Sequence, residues 1–405
     1  MSPRPLGRPR PLYITCDAGG EEQLAIELSK LRCDGIEPSH RGVQVWGTEE
    51  TLWRINLFSR LANRVLIPLA EFEASSREEL YQGCKRIRWD WWVHTSQTIA
   101  VDASSHQSEM QHTHFIAQVV KDGVVDSMRD RFGERPSVDA ANPDLPINAR
   151  ISDNMCTISL DASGTRLHRR GYRTEGGLAP LKETLASLLN HLSGWRPHEP
   201  MIDLTCGSGT ILIEAALRAS MKPLGIARLE EEGFAFQRWR SHAPQRFDSW
   251  RESLPTPPAF PAHFWGSDLD RKQMGKARQN MERVGFDLPI HWELGSIEEA
   301  SPRAAEWLLK LELDESLDRG RDRRAMLIMN VPYGHRLDLD AQEEGSARAF
   351  FRDLGRQLKT HFSGCEAWLL VGTGSPWREI GLKPSAQIEL RNGSIPVKFV
   401  QFLIR

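Results

Sequence analysis

The sequence predicts an α/β protein whose C-terminal part is built on an open parallel sheet and is preceded by smaller α+β units. Three observations carry this. From Met201 onward, short apolar strand cores alternate with helical segments: Ile202, Phe264-Trp265, His291-Trp292, Met326 to Met329 and Ala367 to Val371. Such βα alternation builds a parallel sheet with crossover helices. The first of these strands runs straight into a glycine-rich turn and then an apolar helix, Ile211 to Ala219. The opening segment, by contrast, reads strand, helix, strand, helix within about 50 residues, a small α+β pattern.

In chain order, Met1 to Arg10 is rich in Pro and Arg and lacks an apolar run, so residues 1–10 are expected to form a flexible tail and not a signal peptide. Leu12 to Thr15 is a strand, Glu21 to Leu31 a helix and Gly42 to Gly47 an alternating strand. Thr48 caps a helix to Asn56. A second unit runs from Leu61 to Leu167, with strands at Val65–Phe72, Thr98–Ala103 and Cys156–Leu160 and helices at Arg77–Lys85 and His112–Phe132. The character changes from about Gly171. Lys222 to Pro261, Trp-bearing and Pro-rich at its end, interrupts the βα alternation as an insertion. Asn392-Gly393 between two strand-like runs signals a hairpin.

Composition narrows the class. With 405 residues, 40% hydrophobic and 26% charged, this is an ordinary globular chain of two or three domains at roughly 150 residues each. No stretch of about 18 apolar residues occurs, so no membrane span is expected. A formal net charge of −2 excludes a protein that binds nucleic acid by bulk charge; any such partner needs a local patch. The six cysteines are scattered without C-x-x-C spacing. They read as small buried hydrophobes in a reducing cytoplasm, with neither disulfides nor a structural metal.

The chemistry concentrates at three strand ends. The first is Asp203, followed by Thr205, Cys206, Gly207, Ser208, Gly209 and Thr210. Two glycines let the backbone approach a ligand, and the helix behind them favours a carboxylate at its N-terminus. Leu212 stands where a dinucleotide fingerprint needs its third glycine, which disfavours NAD. An acid four residues before Gly-x-Gly suits a ligand with both amine and carboxylate, and S-adenosylmethionine has that amino-acid moiety. The second strand end, Gly266-Ser267-Asp268-Leu269-Asp270, offers Asp268 either to a ribose diol or as the cap of the helix from Arg271. The third is Asn330-Val331-Pro332-Tyr333-Gly334. The lone pair of an exocyclic base amine is delocalised into the ring. The Asn330 side-chain oxygen and the next backbone carbonyl can both accept from that NH2 and aim its lone pair at a methyl donor. Pro332 stiffens the turn and Tyr333 offers a stacking ring.

Asp203–Thr210 (DLTCGSGT), Gly266–Asp270 (GSDLD) and Asn330–Gly334 (NVPYG) together resemble class I amino-methyltransferases. Lys121–Asp126 (KDGVVD), Ser159–Arg173 (SLDASGTRLHRRGYR) and Ala179–Ala186 (APLKETLA) are similar to THUMP-domain RNA methyltransferases, most closely the bacterial 23S rRNA guanine-N2 methyltransferase group. The resemblance spans Tyr13 to Phe402. It implies a ferredoxin-like unit at 11–60, a THUMP RNA-binding domain at 61–170 and a Rossmann-like methyltransferase domain at 171–405 carrying the insertion at about 222–261. It further implies S-adenosylmethionine held by Asp203, the 205–210 turn, Asp268, Leu269, Ser296, Ile297 and Asn330. Catalysis falls to Asn330, Val331, Pro332 and Tyr333. Two positions depart from the family pattern: Val331 replaces a proline, and Ser296 stands where an acid usually receives the adenine amine.

The resemblance implies structured RNA as partner, with 23S rRNA the first expectation and Lys121, Arg166, Arg169, Arg170 and Arg173 as the contacts; of these, Arg166 to Arg173 is a cationic cluster without an intervening acid, which suits phosphates. Lys85-Arg86-Ile87-Arg88 before Trp89, Trp91 and Trp92 reads as a second basic, aromatic patch or as domain core. Rival readings are tRNA guanine-N2 methylation, adenine-N6 methylation, to which the Asn330 motif is equally suited, and a non-catalytic RNA-binding assembly factor.

Overall fold

The computed structural model describes residues 8–173, 181–255, 258–285, 290–313, 324–331 and 344–405, in two compact units. The first takes Met1–His168 with Pro223–Pro255, and the second takes Arg169–Lys222 with Thr256–Arg405.

In the first unit, strands β1 (Arg10–Thr15), β2 (Asp34–Ser39), β3 (Gly42–Gly47), β4 (Arg64–Glu73), β5 (Thr98–His106), β6 (Ser137–Val138), β7 (Leu145–Ser152) and β8 (Met155–Asp161) form one sheet. Their order is β2-β3-β1-β4-β8-β7-β5-β6. The sheet is continuous because β4 is long enough to serve both halves. Its first residues, Arg64 to Leu66, pair with β1, and Leu66 to Glu73 pair with β8. Helices α1 (Glu21–Lys30), α2 (Glu49–Phe58), α3 (Arg77–Lys85) and α4 (Thr113–Phe132) complete the pattern. Ser76 and Glu79 cap α3 reciprocally. Gly123 lets α4 lie against α3: a Cβ there would stand 2.8 Å from Cys84 Cβ.

The second unit begins with α5 (Glu183–Leu192), β9 (Met201–Asp203) and α6 (Thr210–Ala219). The chain then leaves it for α7 (Gly225–Glu231) and α8 (Pro244–Glu252), which fold with the first unit. This differs from the expectation of an insertion within the methyltransferase portion; the segment is inserted there in sequence only. Its aromatic residues explain the difference. Phe247 and Trp250 pack on Trp53 of α2, with ring centroids 5.1 and 5.5 Å away, and Arg246 pairs with Glu49 and Glu50. On return, the Phe260 N–H donates to the Ala219 carbonyl at 2.9 Å, so the excursion opens and closes at one point.

Strands β10 (Phe264–Asp268), β11 (Ile290–Leu294), β12 (Met326–Asn330), β13 (Glu366–Gly372), β14 (Pro384–Asn392) and β15 (Ile395–Leu403) alternate with α9 (Arg271–Val284), α10 (Ile297–Leu313) and α11 (Glu344–His361). The sheet order is β11-β10-β9-β12-β13-β15-β14. The five strands from β11 to β13 are parallel, and β15 runs antiparallel between β13 and β14. This is the Rossmann-like sheet that the βα alternation predicts, and the hairpin at Gly393 is where the Asn-Gly signal puts it. Ile202, Leu327, Met329, Leu369 and Val371 form a dry core with Ala304, Leu308, Phe351, Leu354 and Leu358 of α10 and α11. Apolar burial of about 25 cal/mol per Å² makes this core the main stabiliser of the sheet. All six cysteines are buried and unpaired with one another. Among the described residues no helix is long and apolar enough to cross a membrane.

Candidate active site

The strand order reverses between β9 and β12, the place where open α/β sheets bind ligands at the carboxyl ends of their strands. Register sets the three chemically marked strand ends at this edge. Gly266 of β10 stands opposite Asp203, and Leu327 of β12 opposite Ile202. Asp268 and Asn330 therefore each lie two residues beyond the level of Asp203, one on either side of it.

Asp203 is buried, at 1% exposure. Its Oδ1 accepts from the Thr205 N–H at 3.0 Å. Burial pushes its carboxyl up to about 8; the Thr205 N–H opposes that rise and the nearby Asp268 charge adds to it. A cationic group arriving beside Asp203 would relieve this penalty. The turn that follows needs its glycines. Gly207 has φ 54° and Gly209 φ 80°, the left-handed region that L side chains avoid. A Cβ on Gly209 would lie 2.8 Å from the Trp292 ring, whereas one on Gly207 would meet nothing within 4 Å. The turn thus packs on β11 at one glycine and opens to a space at the other. Asn280 Nδ2 ties the Ser208 carbonyl to α9 at 3.1 Å, and the buried Cys206 thiol lies 3.7 Å from Met274 Sδ.

Asp268 fastens two strand ends together. Its Oδ2 accepts from the Gly207 N–H at 2.8 Å and its Oδ1 from the Asp270 N–H at 2.9 Å. The cap of α9 is Asp270, which accepts from the Lys272 N–H at 2.7 Å. The cap reading of Asp268 therefore passes to its neighbour. Each carboxylate oxygen accepts more than one bond, so Asp268 retains capacity for a ligand. Beside it Leu269 is an apolar side chain that is 73% exposed.

Ser296 sits differently from the acid it replaces. Its hydroxyl and N–H both bond Glu299 Oε2, at 3.1 and 3.0 Å, and the Glu299 N–H returns to Ser296 Oγ at 3.3 Å. This is a capping box at the start of α10, with Ile297 as the first helical residue. Asn330 closes β12 with a buried Oδ1 that has no hydrogen-bond partner among the described residues. Val331 beside it is 1% exposed. Pro332 and Tyr333 lie outside the described residues.

The expected RNA-contacting cations divide. Arg166 and Arg169 are exposed and Lys121 is half-buried beside Asp122. Arg170 and Arg173 are turned inward. The Arg170 side chain is 5% exposed and lies 3.8 Å from the carboxylate of Glu214, which is fully buried. Arg173 Nη1 donates to the Leu181 carbonyl at 3.0 Å and lies 3.6 Å from Glu183, and its Nη2 donates to Thr210 Oγ1. Buried carboxylates, not solvent, surround these two guanidiniums. The second basic patch is also engaged: Lys85 pairs with Asp130 and Arg88 with Asp90, while Trp89 and Trp92 are core residues. Sequence spacing gave no signal for the Arg173–Thr210 contact or for Trp292 behind Gly209.

Comparison with known proteins agrees with this architecture. Residues 170–401 match the RMKL-like methyltransferase domain of UPF0020, residues 74–161 the THUMP domain and residues 11–66 the RlmL ferredoxin-like domain. A Synechocystis sp. protein provisionally named an RNA methyltransferase is 37% identical over 399 residues, 97% of this chain and 96% of that protein. The ribosomal RNA large subunit methyltransferases K/L of Syntrophotalea carbinolica and Methylococcus capsulatus are each 35% identical over 409 residues, 97% of this chain. The chain spans about half of those two proteins, 53% and 51%. Among solved structures, SMU.472, provisionally described as a methyltransferase and complexed with SAH, superposes with a TM-score of 0.80 at 25% identity over 98% of this chain and 99% of that one. A Clostridium difficile 630 protein described as a possible methylase does so at 0.81 and 26%, over 98% and 99%. With a family match over residues 170–401 and a relative aligned nearly end to end, this chain belongs to the UPF0020 family of RMKL-like methyltransferases.

Proposed function

We propose that this chain methylates the exocyclic N2 amine of a guanine in 23S rRNA, using S-adenosylmethionine. The observation that carries the reading is Asn330: a buried acceptor oxygen without a partner among the described residues, at the carboxyl end of β12, on the same sheet edge as Asp203 and Asp268. An orphaned buried acceptor costs about 1–3 kcal/mol, and an incoming amine would relieve it. The match to a THUMP domain and the ribosomal RNA relatives support RNA as the substrate.

The residues present fit the cofactor. Asp203 would take its ammonium, which offsets the burial that raises this carboxyl to about 8. The N-terminus of α6 and the Ser208 hydroxyl would receive its carboxylate. Asp268 would accept from the ribose hydroxyls, with Leu269 and Ile297 against the adenine. When bound, S-adenosylmethionine supplies an electrophilic methyl group on a sulfonium. Asn330 Oδ1 and the Val331 carbonyl would accept both protons of the guanine amine and so direct its lone pair out of the ring plane. Pro332 and Tyr333 are proposed to stiffen the turn and stack the base. Positioning and electrostatics suffice, without a strong base. Lys121, Arg166 and Arg169 are the proposed phosphate contacts.

Protein-free 23S rRNA lacking the modification and, in parallel, unmodified tRNA, each incubated with a radiolabelled methyl donor and then digested for nucleoside mapping, test the reading. Label in N2-methylguanosine at one 23S site is expected. Label in N6-methyladenosine, label only in tRNA, or no incorporation would overturn it.

A further inference from the structure

Arg173 belongs to a short segment, residues 169–173, that opens the second unit. Resting on the cofactor reading above, we infer that Arg173 is a positioning residue for the Gly207–Thr210 turn: it fixes which way the hydroxyls of Thr210 and Ser208 donate, and thereby sets the affinity for the carboxylate end of the cofactor.

The argument begins with α6. Its N-cap is Gly209, in the left-handed region at φ 80°, and no side chain caps the helix. Its first-turn N–H groups therefore face the turn without an internal acceptor. The two hydroxyls at the mouth, Ser208 Oγ and Thr210 Oγ1, lie 3.4 Å apart, close enough to bond in either direction. Left alone, that pair is bistable, and either oxygen could present a lone pair to an arriving anion.

Arg173 removes the ambiguity. A guanidinium donates and never accepts. Its Nη2 takes one lone pair of Thr210 Oγ1, which makes that oxygen a poorer acceptor and its O–H a better donor, and so favours the arrangement in which the Thr210 proton faces Ser208. The Ser208 proton is then the one left to point outward. The Ser208 hydroxyl and the first-turn N–H groups of α6 then offer donors at the turn, which suits a carboxylate. Arg173 is itself held in place, with the Leu181 carbonyl and Glu183 on its far side. The same segment is pinned one turn further along α6, where Tyr172 Oη donates to Glu214 at 3.1 Å and Ser187 Oγ donates to the other oxygen of that carboxylate at 2.7 Å. Residues 170–173 therefore lie along one face of α6 from Glu214 to Thr210 and end at the turn.

The test needs a readout that simple destabilisation would not move. Two probes supply it. S-adenosylhomocysteine carries the amino-acid carboxylate, and 5′-methylthioadenosine keeps the nucleoside but lacks that group. Arg173→Gln alone would leave Glu183 buried and unpaired, a strongly destabilising change. The comparison is therefore the double variant R173Q/E183Q against E183Q, together with Thr210→Val, which keeps the Arg173–Glu183 pair but removes the hydroxyl. By calorimetric titration, both R173Q/E183Q and T210V are expected to bind S-adenosylhomocysteine about tenfold more weakly, a loss of about 1.4 kcal/mol. Affinity for 5′-methylthioadenosine should stay within about twofold, as expected when only the carboxylate contact is lost. Equal losses for both probes, or none for either, would overturn the inference. Wild-type protein that binds neither probe would overturn the cofactor reading itself.

Discussion

The turn after β9 and the turn after β11 stand at the same sheet edge, both lead from a strand into a helix, and both carry polar side chains. They use them in opposite ways. After β9, burial raises the Asp203 carboxyl to about 8, and α6 starts from a glycine with no side-chain cap. After β11, Ser296 and Glu299 bond each other and complete their own helix. The first turn is left incomplete, and a ligand would complete it. The second is complete by itself. On the proposed reading, recognition of the cofactor would be concentrated at its amino-acid end, and the adenine end would rely on apolar neighbours such as Leu269 and Ile297.

The largest expected effect lies at a third strand end, β12, which like the turn after β9 is left for a ligand to complete. Asn330→Ala removes the orphaned acceptor at β12 and should lower kcat by on the order of 10²–10³, the usual loss for one preorganised polar contact. Single-turnover transfer to unmodified rRNA measures it, and undiminished turnover would remove Asn330 from the site. Next comes Asp203→Asn, which should weaken S-adenosylhomocysteine by about a hundredfold, as for truncating one partner of a buried charge pair. Wild-type affinity should also climb as pH rises toward 8, because the carboxylate is the form that pairs, while the Asp203→Asn variant shows no such climb.

The same carboxyl makes a stability prediction. Its folded value of about 8 lies above that of an unfolded chain, about 3.9. Between these two values the folded state holds a proton that the unfolded state has lost. Its contribution to stability is full below about pH 4, falls by about 1.4 kcal/mol per unit as pH rises, and levels off above about 8. Denaturation of wild type and Asp203→Asn across pH should show the difference between them following that course; a constant difference would place Asp203 in a polar setting instead.

On the complete side, Ser296→Ala should reduce stability by about 1 kcal/mol, the worth of a lost N-cap, and leave cofactor affinity within about twofold. A large loss of affinity would mean that Ser296 leaves Glu299 to take the adenine amine, and the contrast between the two turns would collapse. Smallest of all, Val331→Pro keeps the backbone carbonyl at that position and should hold kcat within about threefold; a larger fall would show that the Val331 N–H is in use.

Much of the site was legible because its demands are local. A buried acid, two glycines at positive φ and an apolar helix must be neighbours in sequence to be neighbours in space, and Asp203 to Ala219 supplies them in order. What escaped was non-local. The arginines at 170 and 173 look like a phosphate patch until Glu214 and Glu183 are seen beside them, and charge density cannot reveal a partner that far along the chain. Strand β2 is exposed almost throughout and carries no period, so nothing marked it. Strand β7 does alternate, with Leu145, Ile147, Ala149 and Ile151 all buried, but Pro146 and Asn148 between them weaken the signal. The aromatic residues of the segment after Lys222 required burial without saying against what.

That segment also fixes an order of events. Trp53 is completely buried, and Phe247 and Trp250 help to cover it. A chain emerging from the ribosome must therefore carry an uncovered tryptophan until nearly 200 further residues have been added, β9 and α6 among them. The first unit cannot be finished before the second has begun, although domains usually fold as units in the order of synthesis. Because Ala219 and Phe260 are bonded at the base of the excursion, docking of the aromatic segment and closure of the second unit can proceed separately, once both ends of the loop exist.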